Sequence, residues 1–153
     1  MAGVRRFEEL RMWQASRRLA NLIYALTGQT SFRDAALRNQ MRWAAVSVMS
    51  NIAEGFGRGS NEEFIYFLYI AKGTLAELLS QLYLSLDLNY ISQGQFQNAK
   101  KYCEETARLL QAFAGKMKAA GKISFRKKRK VIPWREQVQQ VMKEIEAASK
   151  KKG

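Results

Sequence analysis

Apolar residues recur at intervals of three and four through the first 120 positions of the chain, without the alternation that a half-buried strand requires. The spacing predicts four long helices. The first spans about Phe7 to Thr27 on Met12, Leu19, Ile23 and Leu26, with Gly28 at the position of a C-cap. The second follows Asp34, a suitable N-cap, and carries Leu37, Met41, Ala44, Val48 and Ile52 to about Gly55, where Gly55, Gly57 and Gly59 should break it into a turn. The third opens on the capping box Ser60-Asn61-Glu62-Glu63 and runs to about Leu88, with Leu68, Leu75, Leu79, Leu82 and Leu86 toward the core. The fourth repeats the box with Ser92 and Gln95, continues through Phe96, Ala99, Cys103, Thr106, Leu110, Phe113 and Met117, and ends at Gly121.

Short turns make sequential helices neighbours, so the expected fold is all-α: an antiparallel up-down four-helix bundle over residues 1–121. Residues 122–153 form a basic extension. In it Trp134, Val138, Val141, Ile145 and Ala148 follow Pro133 at helical spacing, predicting an amphipathic C-terminal helix of about four turns. So short a helix is marginal alone and should dock on its own bundle, a neighbouring subunit or a partner. The third helix carries a second apolar stripe, Ile65, Tyr69, Ala76, Tyr83 and Tyr90. It reads as an oligomer interface, or else as the mark of the most central helix.

Composition narrows the chemistry. The 153 residues contain no histidine, which removes the usual acid-base residue near neutral pH and the commonest metal ligand. Cys103 is the single cysteine, so neither an internal disulfide nor a thiolate zinc site can form within one chain. No catalytic residue, metal or cofactor is expected, and Gly55 to Gly59 lacks the strand before it and the Lys-Ser/Thr after it that a phosphate cradle needs. The apolar run ending at Ala71 stops at Lys72, far short of a bilayer span, so no membrane role is expected. The N-terminal stretch turns acidic at Glu8 and Glu9 where a signal peptide would be apolar, and the expected location is cytoplasmic.

Charge adds a partner class. The chain has 26 Lys and Arg against 13 Asp and Glu, a net +13. Residues 1–121 hold 15 cations and 10 anions, whereas residues 122–153 hold 11 and 3, so the short extension carries most of the excess. Within it Arg126, Lys127, Lys128, Arg129 and Lys130 stand beside Phe125, with Trp134 close by. Cations that neutralise phosphates next to rings that stack on unpaired bases, or anchor the segment, suit RNA or single-stranded nucleic acid. The bland alternative is a solvated run that keeps the protein soluble. Arg11, Arg17, Arg18, Arg38, Arg42 and Arg58 could extend the positive surface over the bundle.

The second helix interrupts its apolar pattern with Ser47, Asn51, Glu54 and Arg58, all on one face. Together with Phe7-Glu8-Glu9-Leu10, Trp13-Gln14-Ala15, Arg42 to Ser47, Ser50-Asn51-Ile52-Ala53-Glu54-Gly55, Glu63-Phe64, Phe67-Leu68, Ile70 to Leu75 and Glu77-Leu78, this chain resembles the S23 family, four-helix-bundle proteins encoded in intervening sequences of bacterial 23S ribosomal RNA genes. It departs from the family at Met49, usually proline, and at Thr74, usually serine. The resemblance implies a small bundle that assembles into a ring-like homo-oligomer, typically a pentamer, and it offers no catalytic residues. The chain is also similar to the accessory variability proteins of diversity-generating retroelements, which implies binding of a reverse transcriptase with its template RNA. Ser47, Asn51, Glu54 and Glu77 read as a hydrogen-bonded network fixing the register of helices two and three, or else as a nucleotide contact. The expected function is that of a non-enzymatic RNA-binding accessory protein; the alternative is a protein-interaction scaffold with no nucleic-acid role. Binding carried by phosphate contacts weakens steeply with salt, whereas apolar docking does not.

Overall fold

The computed structural model describes residues 4–126 and 133–151, and of 121–126 the backbone alone. Among the described residues the chain is all-α, with no strand. A 3-10 turn, Phe7–Glu9, precedes five helices: α1 Arg11–Thr27, α2 Ala35–Arg58, α3 Asn61–Asp87, α4 Gln93–Arg126 and α5 Trp134–Lys150. α1 packs on α2 and α4, and α3 also packs on α2 and α4, while α5 lies on α4.

The predicted apolar stripes of α1, α2 and α4 are the core. Met12, Leu19, Ile23 and Leu26, then Leu37, Met41, Val48 and Ile52, then Phe96, Cys103, Leu110 and Met117 are all buried. Burial of each such aliphatic side chain contributes about 1.5–3 kcal/mol, which is what holds the helices together. In α3 the buried face is turned slightly from the expected one. Phe64, Leu68, Ala71, Leu75, Leu78, Leu82 and Ser85 are inside, and Leu79 and Leu86 are half-buried at its margin. Buried polar groups are satisfied locally: Thr106 Oγ1 donates to Tyr102 O at 2.8 Å and Ser85 Oγ to Gln81 O at 2.8 Å.

Several boundaries depart from the sequence reading. The first helix does not begin at Phe7: Leu10 is extended (φ −76°, ψ 122°) and fully buried, so the chain breaks there to insert that side chain and α1 starts at Arg11. The second helix does not stop at Gly55. It passes through Gly55 and Gly57 to Arg58 and ends at Gly59, whose φ of +81° is the left-handed conformation. A glycine inside a helix costs only about 1 kcal/mol, and tertiary packing outweighs it. α4 likewise is not ended by Gly121 and continues to Arg126, so the boundary drawn at residue 121 falls inside a helix. The caps at Asp34, Ser60 and Ser92 are as expected, with Asp34 Oδ1 accepting from Leu37 N at 2.9 Å and Ser92 Oγ from Gln95 N at 3.1 Å.

The C-terminal helix docks on the body of its own chain. Val138 and Val141 are buried, and Met142 and Ile145 sit against Leu109 and Phe113 of α4 and Met12 of α1. Ala148, expected in the stripe, is exposed. Polar ties frame the seat: Asn61 Nδ2 donates to Met117 O at 3.3 Å and to Gln137 Oε1 at 3.2 Å, and Lys116 pairs with Glu144 at 3.2 Å.

Candidate functional site

The polar stripe of α2 faces a groove shared with α3 and lined by Gln40, Trp43, Ser47, Thr74, Glu77 and Gln81. Its hydrogen bonds run along α2. Asn51 Nδ2 donates to Ser47 O at 2.8 Å and Ser47 Oγ at 3.0 Å, while Arg58 Nη2 meets Glu54 Oε1 at 2.8 Å. The bond to Glu54 and the charge of that carboxylate raise the Arg58 pKa further above its ordinary value. Glu77 stands across the groove, exposed and in no ion pair among the described residues. The expected bridging network between helices two and three is therefore not what joins them here, because each short polar side chain closes on its own helix. Close backbone approach does that work: a Cβ on Gly55 would lie 2.6 Å from Phe67 Cβ.

The six arginines of the expected positive surface divide into two groups. Arg38, Arg42 and Arg58 are engaged within the chain: Arg38 Nη2 donates to Phe32 O at 2.6 Å, and Arg42 Nε donates to Thr27 Oγ1 at 2.8 Å with its guanidinium 4.6 Å from the Tyr24 ring. Arg11, Arg17 and Arg18 are exposed on α1, a helix without a single acidic residue, with the Arg17 guanidinium 5.8 Å from the Trp13 ring. Arg17 and Arg18 flank a shallow depression with Trp13, Gln14 and Asn21.

The basic cluster lies at the far end of α4. Arg126 is its last described residue, Phe125 precedes it, and Lys127, Lys128, Arg129 and Lys130 lie outside the described residues. Trp134 is not a free stacking platform. Its ring packs edge-on against Phe56 at 4.9 Å and Phe64 at 5.9 Å, and Phe64 in turn meets Phe113 at 5.8 Å. It anchors the start of α5 to the base of the core, which fixes the return point of the basic segment.

The second stripe of α3 follows the seam with α4. Lys118 Nζ lies 4.6 Å from the Tyr69 ring, and Lys100 Nζ donates to the Tyr83 hydroxyl at 3.1 Å, a contact that raises the Lys100 pKa. Tyr90 packs on Phe32 at 5.1 Å, Ile65 is half-buried and Ala76 exposed. The larger exposed apolar surface is elsewhere, on the outer walls of α2 and α3: Trp43 is 78% exposed, Tyr66 63%, and Leu84 and Leu88 are open as well. Sequence reasoning missed these residues, although a tryptophan out of phase with the stripe of Leu37, Met41, Ala44 and Val48 was the available signal.

No group of three or more potential metal ligands comes together among the described residues. Burial pushes the Cys103 thiol up to about 12, so it stays a neutral core side chain. None of the described helices is long and apolar enough to cross a membrane.

Comparison with known proteins agrees with this architecture. No curated protein matches the chain. A crystal structure of a protein of unknown function from the S23 ribosomal protein family of Bacteroides thetaiotaomicron superposes with a TM-score of 0.59 at 23% identity, over 68% of this chain and 91% of that one. Residues 8–112 match the model of the 23S rRNA-intervening sequence protein family, covering α1 to α3 and most of α4, and the chain belongs to that family.

Proposed function

We propose that this chain is a non-enzymatic, RNA-binding homo-oligomer, most simply a pentameric ring of antiparallel up-down bundles, with the basic segment from Arg126 to Lys130 as its phosphate contact. The pairing of Met41 with Ser85 and of Gly55 with Phe67 across α2 and α3 supports the antiparallel arrangement. The observation that carries the RNA reading is the placement of charge. Five consecutive cations begin at Arg126, the last residue of α4, and Trp134, four residues after Lys130, is packed on Phe56 at the start of α5, so both ends of the basic segment are joined to the folded body. Tethering reduces the freedom lost on binding, and a ring would present several copies of the segment to one RNA. The non-enzymatic reading rests on the absence of histidine from the sequence and on the protonated, buried state of Cys103.

The test replaces Arg126, Lys127, Lys128, Arg129 and Lys130 with alanine in the full chain, since removing everything beyond residue 121 would also strip Val138 and Val141 from the core. Binding of structured RNA and of a single-stranded oligonucleotide is then titrated against salt. About five phosphate contacts give a log-log slope near −3.5 for a single strand, and the substituted chain should lose most of it. Equal affinity and slope for the two chains would overturn the assignment. A salt-insensitive interaction would point to the protein-scaffold alternative.

A further inference from the structure

The two walls of the molecule that lie across the core from one another are opposite in charge. α1 and α3 both pack on α2 and α4, which sets them on opposite sides. α1 carries Arg11, Arg17 and Arg18 and no acid, whereas α3 carries Glu62, Glu63, Glu77 and Asp87 against Lys72 alone. Arg17 and Arg18 form no ion pair among the described residues.

The α2–α3 groove is short of donors. Gln81 Oε1 is buried without a hydrogen-bond partner, and the Glu77 carboxylate beside it is in no ion pair. Gln81 Oε1 lies below the accessible surface, so it is the exposed Glu77 carboxylate that calls for a group that donates hydrogen bonds and carries positive charge. Trp43, projecting from the same groove with its ring largely exposed, offers a π face to such a cation. Planar, cationic and donor-only together describe a guanidinium. A phosphate backbone is a poor occupant, because Glu77 would repel it.

We propose that the α2–α3 groove is the seat for the Arg17–Arg18 pair of a second copy of this chain, in a head-to-tail contact. Charge complementarity identifies the occupant: Arg17 and Arg18, exposed and in no ion pair among the described residues although Arg17 rests 5.8 Å from the Trp13 ring, and the exposed Glu77 carboxylate belong to one sequence and occupy opposite walls. Exposed Leu84 and Leu88 on the groove side and Tyr24 on the α1 side supply apolar contact around the ion pairs. A contact between two different faces repeats from copy to copy, giving a ring where the rotation closes and a filament where it does not, whereas a self-complementary face stops at a dimer. α5 lies on α4 and touches Phe56 and Phe64 through Trp134, while Trp43, Glu77, Leu84 and Leu88 stay exposed. This inference rests on the homo-oligomer reading, and it removes Arg17 and Arg18 from the RNA surface.

The experiment measures mass by light scattering on the full chain at micromolar concentration, with far-UV circular dichroism and a thermal melt as fold controls. Glu77→Arg alone, and Arg17→Glu with Arg18→Glu, should each weaken assembly at least tenfold and yield monomers. The triple variant, in which the charges are exchanged, should regain the assembled mass. Glu77→Gln and Arg17→Gln are the milder versions to use if a reversal fails to fold, and they should shift assembly in the same direction. An assembled wild-type chain whose mass ignores the reversals, or a folded triple variant that remains monomeric, overturns this contact and leaves the oligomer reading standing. A monomeric wild-type chain overturns both. Loss of assembly with Glu77→Arg but not with the arginine reversal would mean a self-complementary α2–α3 contact. Loss of RNA affinity at unchanged mass would return Arg17 and Arg18 to the nucleic acid, and either result overturns the proposal.

Discussion

Gly55 of α2 faces Phe67 of α3 so closely that a methyl group on the glycine would stand 2.6 Å from the phenylalanine Cβ. Gly55 is buried and Phe67 Cβ is fixed to the α3 backbone, so neither side can yield by a rotamer change. Replacing Gly55 with alanine should push α2 and α3 apart and destabilise the fold by about 1–3 kcal/mol, outweighing the roughly 1 kcal/mol gained in helix propensity. Urea denaturation of the full chain checks this. A Gly55→Ala chain as stable as the parent would mean that the two helices do not pack this tightly.

Trp134 joins the extension to the body. Its ring meets Phe56 and Phe64, and Arg135 places its guanidinium 5.7 Å from both the Phe56 and the Trp134 rings. Since the tryptophan is only half-buried, Trp134→Ala should cost about 2–3 kcal/mol, below the 3–5 typical of a fully buried aromatic. The loss should be visible as faster tryptic cleavage within α5, while cleavage within α2 and α3 stays slow. Equal protection of α5 in the two chains would show that Val138 and Val141 hold it unaided.

What the sequence made legible were features with a local physical cause. The stripes of α1, α2 and α4 follow from helical period and burial, and the caps at Asp34, Ser60 and Ser92 follow from side chains that satisfy nearby backbone N–H groups. Features decided by another helix were not legible. Whether Gly55 ends α2 depends on Phe67, twelve residues on. Leu10 leaves the helical path because a buried position awaits it, although its neighbours read as helix. The candidate site was readable to the same extent. Polar residues at Ser47, Asn51 and Glu54 could be placed on one face, but whether they bond across to α3 or along α2 is a matter of side-chain reach. Tyr69 and Tyr83 drew attention as an apolar stripe, while the period alone could not reveal Lys118 and Lys100 beside them or mark Trp43 as the most exposed large apolar residue among the described residues.

Gly59 illustrates a stop signal that does act. At φ +81° it closes α2, and Ser60 next to it opens α3 by accepting from Glu63 N at 3.2 Å while its hydroxyl donates to Glu63 Oε2 at 2.9 Å. An alanine at residue 59 would have to hold the left-handed conformation, at a cost of about 1–2 kcal/mol, whereas asparagine adopts it more readily. Thermal melts should therefore rank the parent highest, Gly59→Asn next and Gly59→Ala lowest. Equal melting of the alanine and asparagine variants would argue against backbone strain as the cause.

Cys103 gives a pH-dependent test of the core. Burial, reinforced by the charge of Glu104, pushes its thiol from the ordinary 9.0 up to about 12. Between those values the native chain keeps a proton that the unfolded chain has released, so the native state binds more protons and stability falls as pH rises. The contribution is fully present below about pH 9 and is lost on the way to pH 12, with a slope of at most about 1.4 kcal/mol per pH unit. The quantity to follow is the stability difference between the parent and Cys103→Ala, which isolates this thiol. That difference should be flat from pH 6 to about pH 9 and should then decline for the parent relative to the variant. A second readout is chemical: at pH 8 a thiol reagent should leave the folded chain unlabelled and modify it stoichiometrically in urea, because the thiolate forms only when the core opens. Rapid labelling of the folded chain would show that α4 does not bury this residue against the rest of the core.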